Sequence, residues 1–176
     1  MSFLPGIAAS QTIRLSRPKG GPTAAAAIGT LTVTVSPASV SFNLVSKGLA
    51  VGSGAVAVTT AWSVNLCVGA CTINLYGYFA NANAALSGGS PVVNIPSSSV
   101  LGRVPTGTPT SFTPFTQTAP FGGAGASLLL FSQSFTLLTL PGSRTDALSL
   151  EINLANQPQL PAGTYSGTLF VQAQAF

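Results

Sequence analysis

The stretch LPAGTYSGTLFVQAQAF, from Leu160 to Phe176, decides the fold. Pro161, Ala162 and Gly163 mark a turn, and from Thr164 onward the residues alternate. Tyr165, Gly167, Leu169, Val171, Ala173 and Ala175 fall on one face, and Ser166, Thr168, Phe170, Gln172, Gln174 and Phe176 on the other. A period of two is the signature of a β-strand. A strand at the end of the sequence has to be tied into a sheet, because a loose terminus frays. The rest of the chain is therefore expected to supply that sheet.

Working outward, the same alternation recurs. Leu31, Val33 and Val35 share one face of a strand beginning near Gly29, opposite Thr30, Thr32 and Thr34. Val40, Phe42 and Leu44 align after the Ser36-Pro37 turn, and a glycine-rich connection is expected from Lys47 to Gly54. From Ala55 to Leu66, Val56, Val58, Trp62, Val64 and Leu66 share a face. Ile73, Leu75 and Phe79 do so in the next strand, Thr72 to Phe79. These two strands are expected to form a hairpin around Cys67-Val-Gly-Ala-Cys71. A register placing Val64 opposite Ile73 and Leu66 opposite Cys71 puts their apolar sets on one face. Residues 80–127 are dense in turns, with short strands expected at Val92–Ile95, Val100–Arg103 and Ser111–Thr116. Longer strands are expected at Ser127–Thr136 and Ala147–Leu154, with Pro141-Gly142-Ser143 as a separator. Short strands punctuated by Gly and Pro, with no helical period, indicate an all-β antiparallel sandwich. Immunoglobulin-like topology ranks first and a jelly roll second.

The domain is expected to span 29–176, preceded by an extension, residues 1–28. In that extension Ile7, Ala9, Ile13 and Leu15 share one parity before the breaker cluster Pro18-Lys-Gly-Gly-Pro22. Two readings stand: a tail or linker, or a strand whose apolar edge pairs with another subunit.

Charged residues make up only 5% of the 176-residue chain, against 46% hydrophobic ones. Soluble domains carry roughly 25% charge. Hydration thus falls to hydroxyls and amides, which suits an extracellular, cell-surface or assembled protein. Six basic residues are too few for a nucleic-acid patch despite the net charge of +4. No apolar run reaches the roughly 18 residues of a membrane span, so no membrane insertion is expected. The opening MSFLPGIAAS has no basic residue ahead of its short apolar stretch, unlike an intact secretory signal.

Chemistry is largely excluded. Histidine is absent, and the two carboxylates, Asp146 and Glu151, have opposite parity on one strand, each expected at a turn or on a solvated face. No nucleophile–base set can be assembled, so the chain is not read as an enzyme, and no cofactor or metal is expected. Gly122-Gly-Ala-Gly125 lacks the lysine of a phosphate loop. Cys67 and Cys71 are read as a structural disulfide, which favours an oxidising compartment. Tyr76 and Tyr78 fall on the outer parity of their strand. They form a sugar-stacking platform, a subunit contact, or ordinary cross-strand packing.

The motif Pro161-Ala-Gly-Thr-Tyr165 with its alternating strand resembles the closing strand of secreted β-sandwich proteins of the spore coat protein U and chaperone–usher pilin type. The resemblance is carried by about a tenth of the chain. It implies an immunoglobulin-like structural subunit of an extracellular filament or pilus. In such a subunit a neighbour's strand completes the sheet, with Ile7, Ala9, Ile13 and Leu15 as candidate donor residues. The implied partners are other copies of the chain and an assembly chaperone. Alternative expectations are a secreted adhesin or carbohydrate-binding domain that meets surface glycans through Tyr76, Tyr78 or the loops of residues 80–127, and a viral capsid or spike protein of jelly-roll type.

Overall fold

The computed structural model describes residues 10–16, 30–63, 71–135 and 141–175. They form a β-sandwich of two sheets. The first holds β1 (Ser10–Ser16), β3 (Ser39–Asn43), β6 (Cys71–Tyr78), β7 (Leu86–Gly88), β8 (Val93–Ile95), β11 (Ser127–Phe135) and β13 (Tyr165–Ala175). Its order is β11-β6-β13-β1-β3, with β7 also on β13 and β8 on β7. The second holds β2 (Leu31–Ser36), β4 (Leu49–Val51), β5 (Val56–Trp62), β9 (Val100–Arg103), β10 (Thr113–Pro114) and β12 (Gly142–Asn153). Its order is β10-β9-β12-β5-β2, with β4 also on β12. Among the described strands every pair is antiparallel except β1 with β13. One 3-10 turn, Ser97–Ser99, is the sole helical element among the described residues.

The inward faces are those that the alternation marks. Val56 and Val58 from β5 and Leu148, Leu150 and Ile152 from β12 are buried. So, across the sandwich, are Ile73 and Leu75 from β6 and Leu169 and Val171 from β13. Each such side chain contributes about 1.5–3 kcal/mol by leaving water. The PAGTY turn is locked by its tyrosine: the Tyr165 ring is buried, and its hydroxyl donates to the Pro161 carbonyl at 2.8 Å. Gly163 has φ of +148°, and a Cβ there would stand 2.7 Å from Gly89 Cα, so the turn admits only glycine.

The expected hairpin between the Trp62 strand and the Ile73 strand does not form. β5 pairs with β12 and β2, while β6 pairs with β11 and β13, so the two lie in different sheets. Each has a continuous apolar face, and the faces meet across the core instead of side by side. The register set on Val64 and Leu66 lies outside the described residues. Further corrections concern short elements. The glycine-rich connection from Lys47 to Gly54 contains β4, β7 was not foreseen, and Ser111–Thr116 contributes only the two residues of β10. Pro141-Gly142-Ser143 is no separator, because β12 already begins at Gly142.

Asp146 also differs from expectation. It shares the inward parity of Leu148 and Leu150, and its side chain is only 2% exposed, so it is not on a solvated face. It survives burial because it is fully partnered. Arg144 Nε donates to Oδ2 at 2.7 Å and Nη2 to Oδ1 at 2.6 Å, while the Thr106 hydroxyl donates to Oδ1 at 2.7 Å. Arg144 also donates to the Thr106 carbonyl, and its guanidinium lies 4.2 Å from the Phe131 ring centroid. The hydrogen bond to Asp146 raises the Arg144 pKa above its ordinary value, against the opposing pull of burial. Removing one partner strands the other charge. Asp146→Ala is therefore expected to lower stability by about 3 kcal/mol in urea unfolding; a loss below about 0.5 kcal/mol would show the pair to be a solvated surface bridge.

Candidate functional site

The N-terminal strand occupies an unusual place. β1 carries SQTIRLS, an alternating stretch suited to a pleated sheet. It lies between the closing strand and β3, as an inner strand of its sheet. Towards β13 the register is parallel, with Thr12 opposite Ser166, Ile13 opposite Gly167 and Leu15 opposite Leu169. Towards β3 it is antiparallel, with Gln11 opposite Phe42 and Ile13 opposite Val40. Ile13 is 0% exposed and packs in the core with Val40, Phe42 and Leu169.

Three features define the slot. First, β13 and β3 are joined only through β1 along the path of the sheet. Withdrawing β1 leaves two strand edges with unmet backbone donors and acceptors, the situation that invites an incoming strand. Second, the β13 residue paired with Ile13 is Gly167. A Cβ there would come within 1.9 Å of the Ala85 carbonyl oxygen, so a side chain is excluded at that position. Third, β1 and the next strand in sequence, β2, lie in different sheets, so no tight hairpin ties β1 to its place.

Of the four donor candidates, Ile13 is thus in the core of its own chain. Leu15 lies in β1 at a register position opposite Leu169, and its side chain is outside the described set. Ile7 and Ala9 fall outside the described residues. The segment read as an extension contributes a strand to the same sheet as the domain that follows it.

The two tyrosines of β6 differ in how far they are covered. Tyr78 is 7% exposed and stacks on Phe170 at 5.4 Å and on Phe121 at 6.0 Å between ring centroids. Its hydroxyl donates to Gln172 Oε1 at 3.1 Å. Burial raises the phenol pKa of Tyr78 and of Tyr165. Tyr76 is half-buried, meets Phe121 edge-on at 6.1 Å and accepts a hydrogen bond from Asn74 Nδ2 at 3.1 Å. A sugar needs a bare ring face, and Phe121 and Phe170 take up that of Tyr78. Tyr78 is thus engaged in aromatic packing within its sheet.

Cys71 opens β6, is buried, and is not a free thiol; Cys67 is outside the described residues. Among the described residues no three His, Cys, Asp or Glu side chains gather in a metal-binding group. Asp146 points inward and Glu151 takes the outward parity of β12, so the two carboxylates do not meet. No helix among the described residues is long and apolar enough to cross a membrane. No protein-family model matches the chain, and no curated protein matches it.

If β1 holds its slot by packing, Ile13→Ala should cost about 2–4 kcal/mol in equilibrium unfolding. An unchanged midpoint would mean that the strand merely rests on the edge.

Proposed function

We propose that this chain is a structural subunit of an extracellular, cell-surface filament of pilus type, joined by exchange of its N-terminal strand into a neighbouring copy. The single observation that carries the reading is the slot between β13 and β3. It is filled by a strand from the start of the chain, Ser10–Ser16, whose removal breaks no other strand pair on the path of the sheet. A strand with that connectivity satisfies the same hydrogen bonds whether it comes from its own chain or from another, which is the physics of β-augmentation. Exchange from copy to copy is head-to-tail and does not close, so it yields a fibre. The resemblance of the PAGTY closing strand to spore coat protein U and pilin sandwiches points the same way. The sparse charge fits as well, since assembled subunits need little mutual repulsion.

In this reading Ile7, Ala9, Ile13 and Leu15 are the groove-filling positions, a Cys67–Cys71 disulfide braces the turn before β6, and an assembly chaperone covers the slot until a neighbour arrives. An adhesin reading has less support, because Phe121 and Phe170 take up the ring faces of Tyr78 and leave it Tyr76 and the loops of residues 80–127.

The test is electron microscopy of the native material beside a variant lacking residues 1–22. Filaments should vanish on truncation, leaving unstable or aggregating subunits, and a synthetic peptide of residues 1–22 should restore a soluble fold. A well-behaved monomer in both samples would sink the proposal.

A further inference from the structure

The pair of Arg144 with the buried Asp146 takes no part in the slot described above, yet it fastens one particular segment. Thr106 is held by its hydroxyl to Asp146 and by its carbonyl to Arg144. Around it the loop is pinned further: Val104 is buried and donates to the Pro109 carbonyl at 2.8 Å, Thr108 N–H donates to the Leu130 carbonyl at 3.0 Å, and Phe115 is fully buried. Beyond these anchors Thr110 and Ser111 lie on the surface. Thr108, Thr110 and Ser111 are all exposed, and their hydroxyls make no hydrogen bond among the described residues.

The composition of this segment is unusual even for this chain. Of the sixteen residues from 105 to 120, seven are Ser or Thr and four are Pro. No charged residue occurs between Arg103 and Arg144. Ser/Thr/Pro-rich segments are the compositional class that carries O-linked sugars. Other exposed hydroxyls, such as those of Thr32 and Thr34, sit on strands whose backbone is already paired. A transferase has to grip the acceptor backbone as well as its hydroxyl. The N–H groups of Thr110 and Ser111 donate to no backbone carbonyl among the described residues.

We propose that Thr110 and Ser111 form a glycosylation site, with their hydroxyls as acceptors of sugar from an activated sugar phosphate. In the step, the hydroxyl oxygen bonds to the anomeric carbon. The bond from that carbon to the phosphate oxygen breaks and the phosphate leaves with its electron pair. The hydroxyl proton passes to a base of the transferase. The attached sugar then hydrates a stretch that has no charge of its own, and the ion pair beneath keeps the acceptors displayed.

The experiment is peptide mass spectrometry on the protein purified from its native source. Trypsin cuts after Arg103 and Arg144 and nowhere between, so residues 104–144 come away as one peptide. That peptide should carry hexose or N-acetylhexosamine increments, located by electron-transfer fragmentation at Thr110 or Ser111. The double variant T110A/S111A, expressed in the same host, should lose them with its melting temperature unchanged. A bare peptide from the native protein, or sugar placed only at other residues, overturns the assignment. Filament formation is scored separately, since the proposal does not depend on it.

Discussion

A β-strand inside a sheet has to satisfy hydrogen bonds on both of its edges, and in this protein that requirement falls on β1. The closing strand β13 meets β6 and β7 on one side, and on the other it meets β1 from Ser166 to Phe170. β3 depends on the same strand from Ser39 to Asn43. Seven residues from the start of the chain therefore hold two strands from distant parts of the sequence in one sheet. Burial of Ile13 adds the apolar part of the bond, and the parallel register against β13 sets which residues face inward. Chain connectivity makes the arrangement significant. β1 leads into β2 only through residues 17–29, across to the opposite sheet. A neighbour's copy of the strand offers the slot the same donors, the same acceptors and the same isoleucine.

Much of the fold was legible in the sequence because alternation reports which side chains face inward. β9 at Val100–Arg103 and β13 from Tyr165 fall where the pattern puts them, and Leu31, Val33 and Val35 do take the inner side of β2. Alternation does not report the partner of a strand. Trp62 and Ile73 each belong to an apolar face, and such faces match equally well side by side or across a core; the sandwich uses the second arrangement. Strands of three residues, β4 and β7, are too short to show a period at all. At the candidate site, the parity of Ile13 was readable while its neighbours, Gly167 and Val40, were not, since register depends on contacts far apart in sequence.

Asp146 shows a different limit. A lone carboxylate in a low-charge chain reads as solvated, yet here it lies on the inward side of β12. The signal was present in the chain: Arg144 and Asp146 are two apart on a strand and share the parity of Leu148. That places both charges on the core side, where only pairing makes them tolerable. The third partner, Thr106, comes from a loop, and no local pattern announces it. The resulting cluster holds Thr106 of the threonine-rich loop, so a charge pair costly to bury becomes a means of shaping the surface.

The most direct measurement of the central claim uses the register between Thr12 and Ser166, which face each other across β1 and β13. Adjacent positions on paired strands fall within disulfide reach. One tagged chain would carry Thr12→Cys, a second, differently tagged chain Ser166→Cys, and the two would be unfolded together, refolded and oxidised. Strand exchange predicts a covalent heterodimer bearing both tags and, for a chain carrying both substitutions, a ladder of covalent multimers. If the mixed chains stay uncrosslinked while the doubly substituted chain closes only on itself, the strand belongs to its own subunit and the filament account is contradicted.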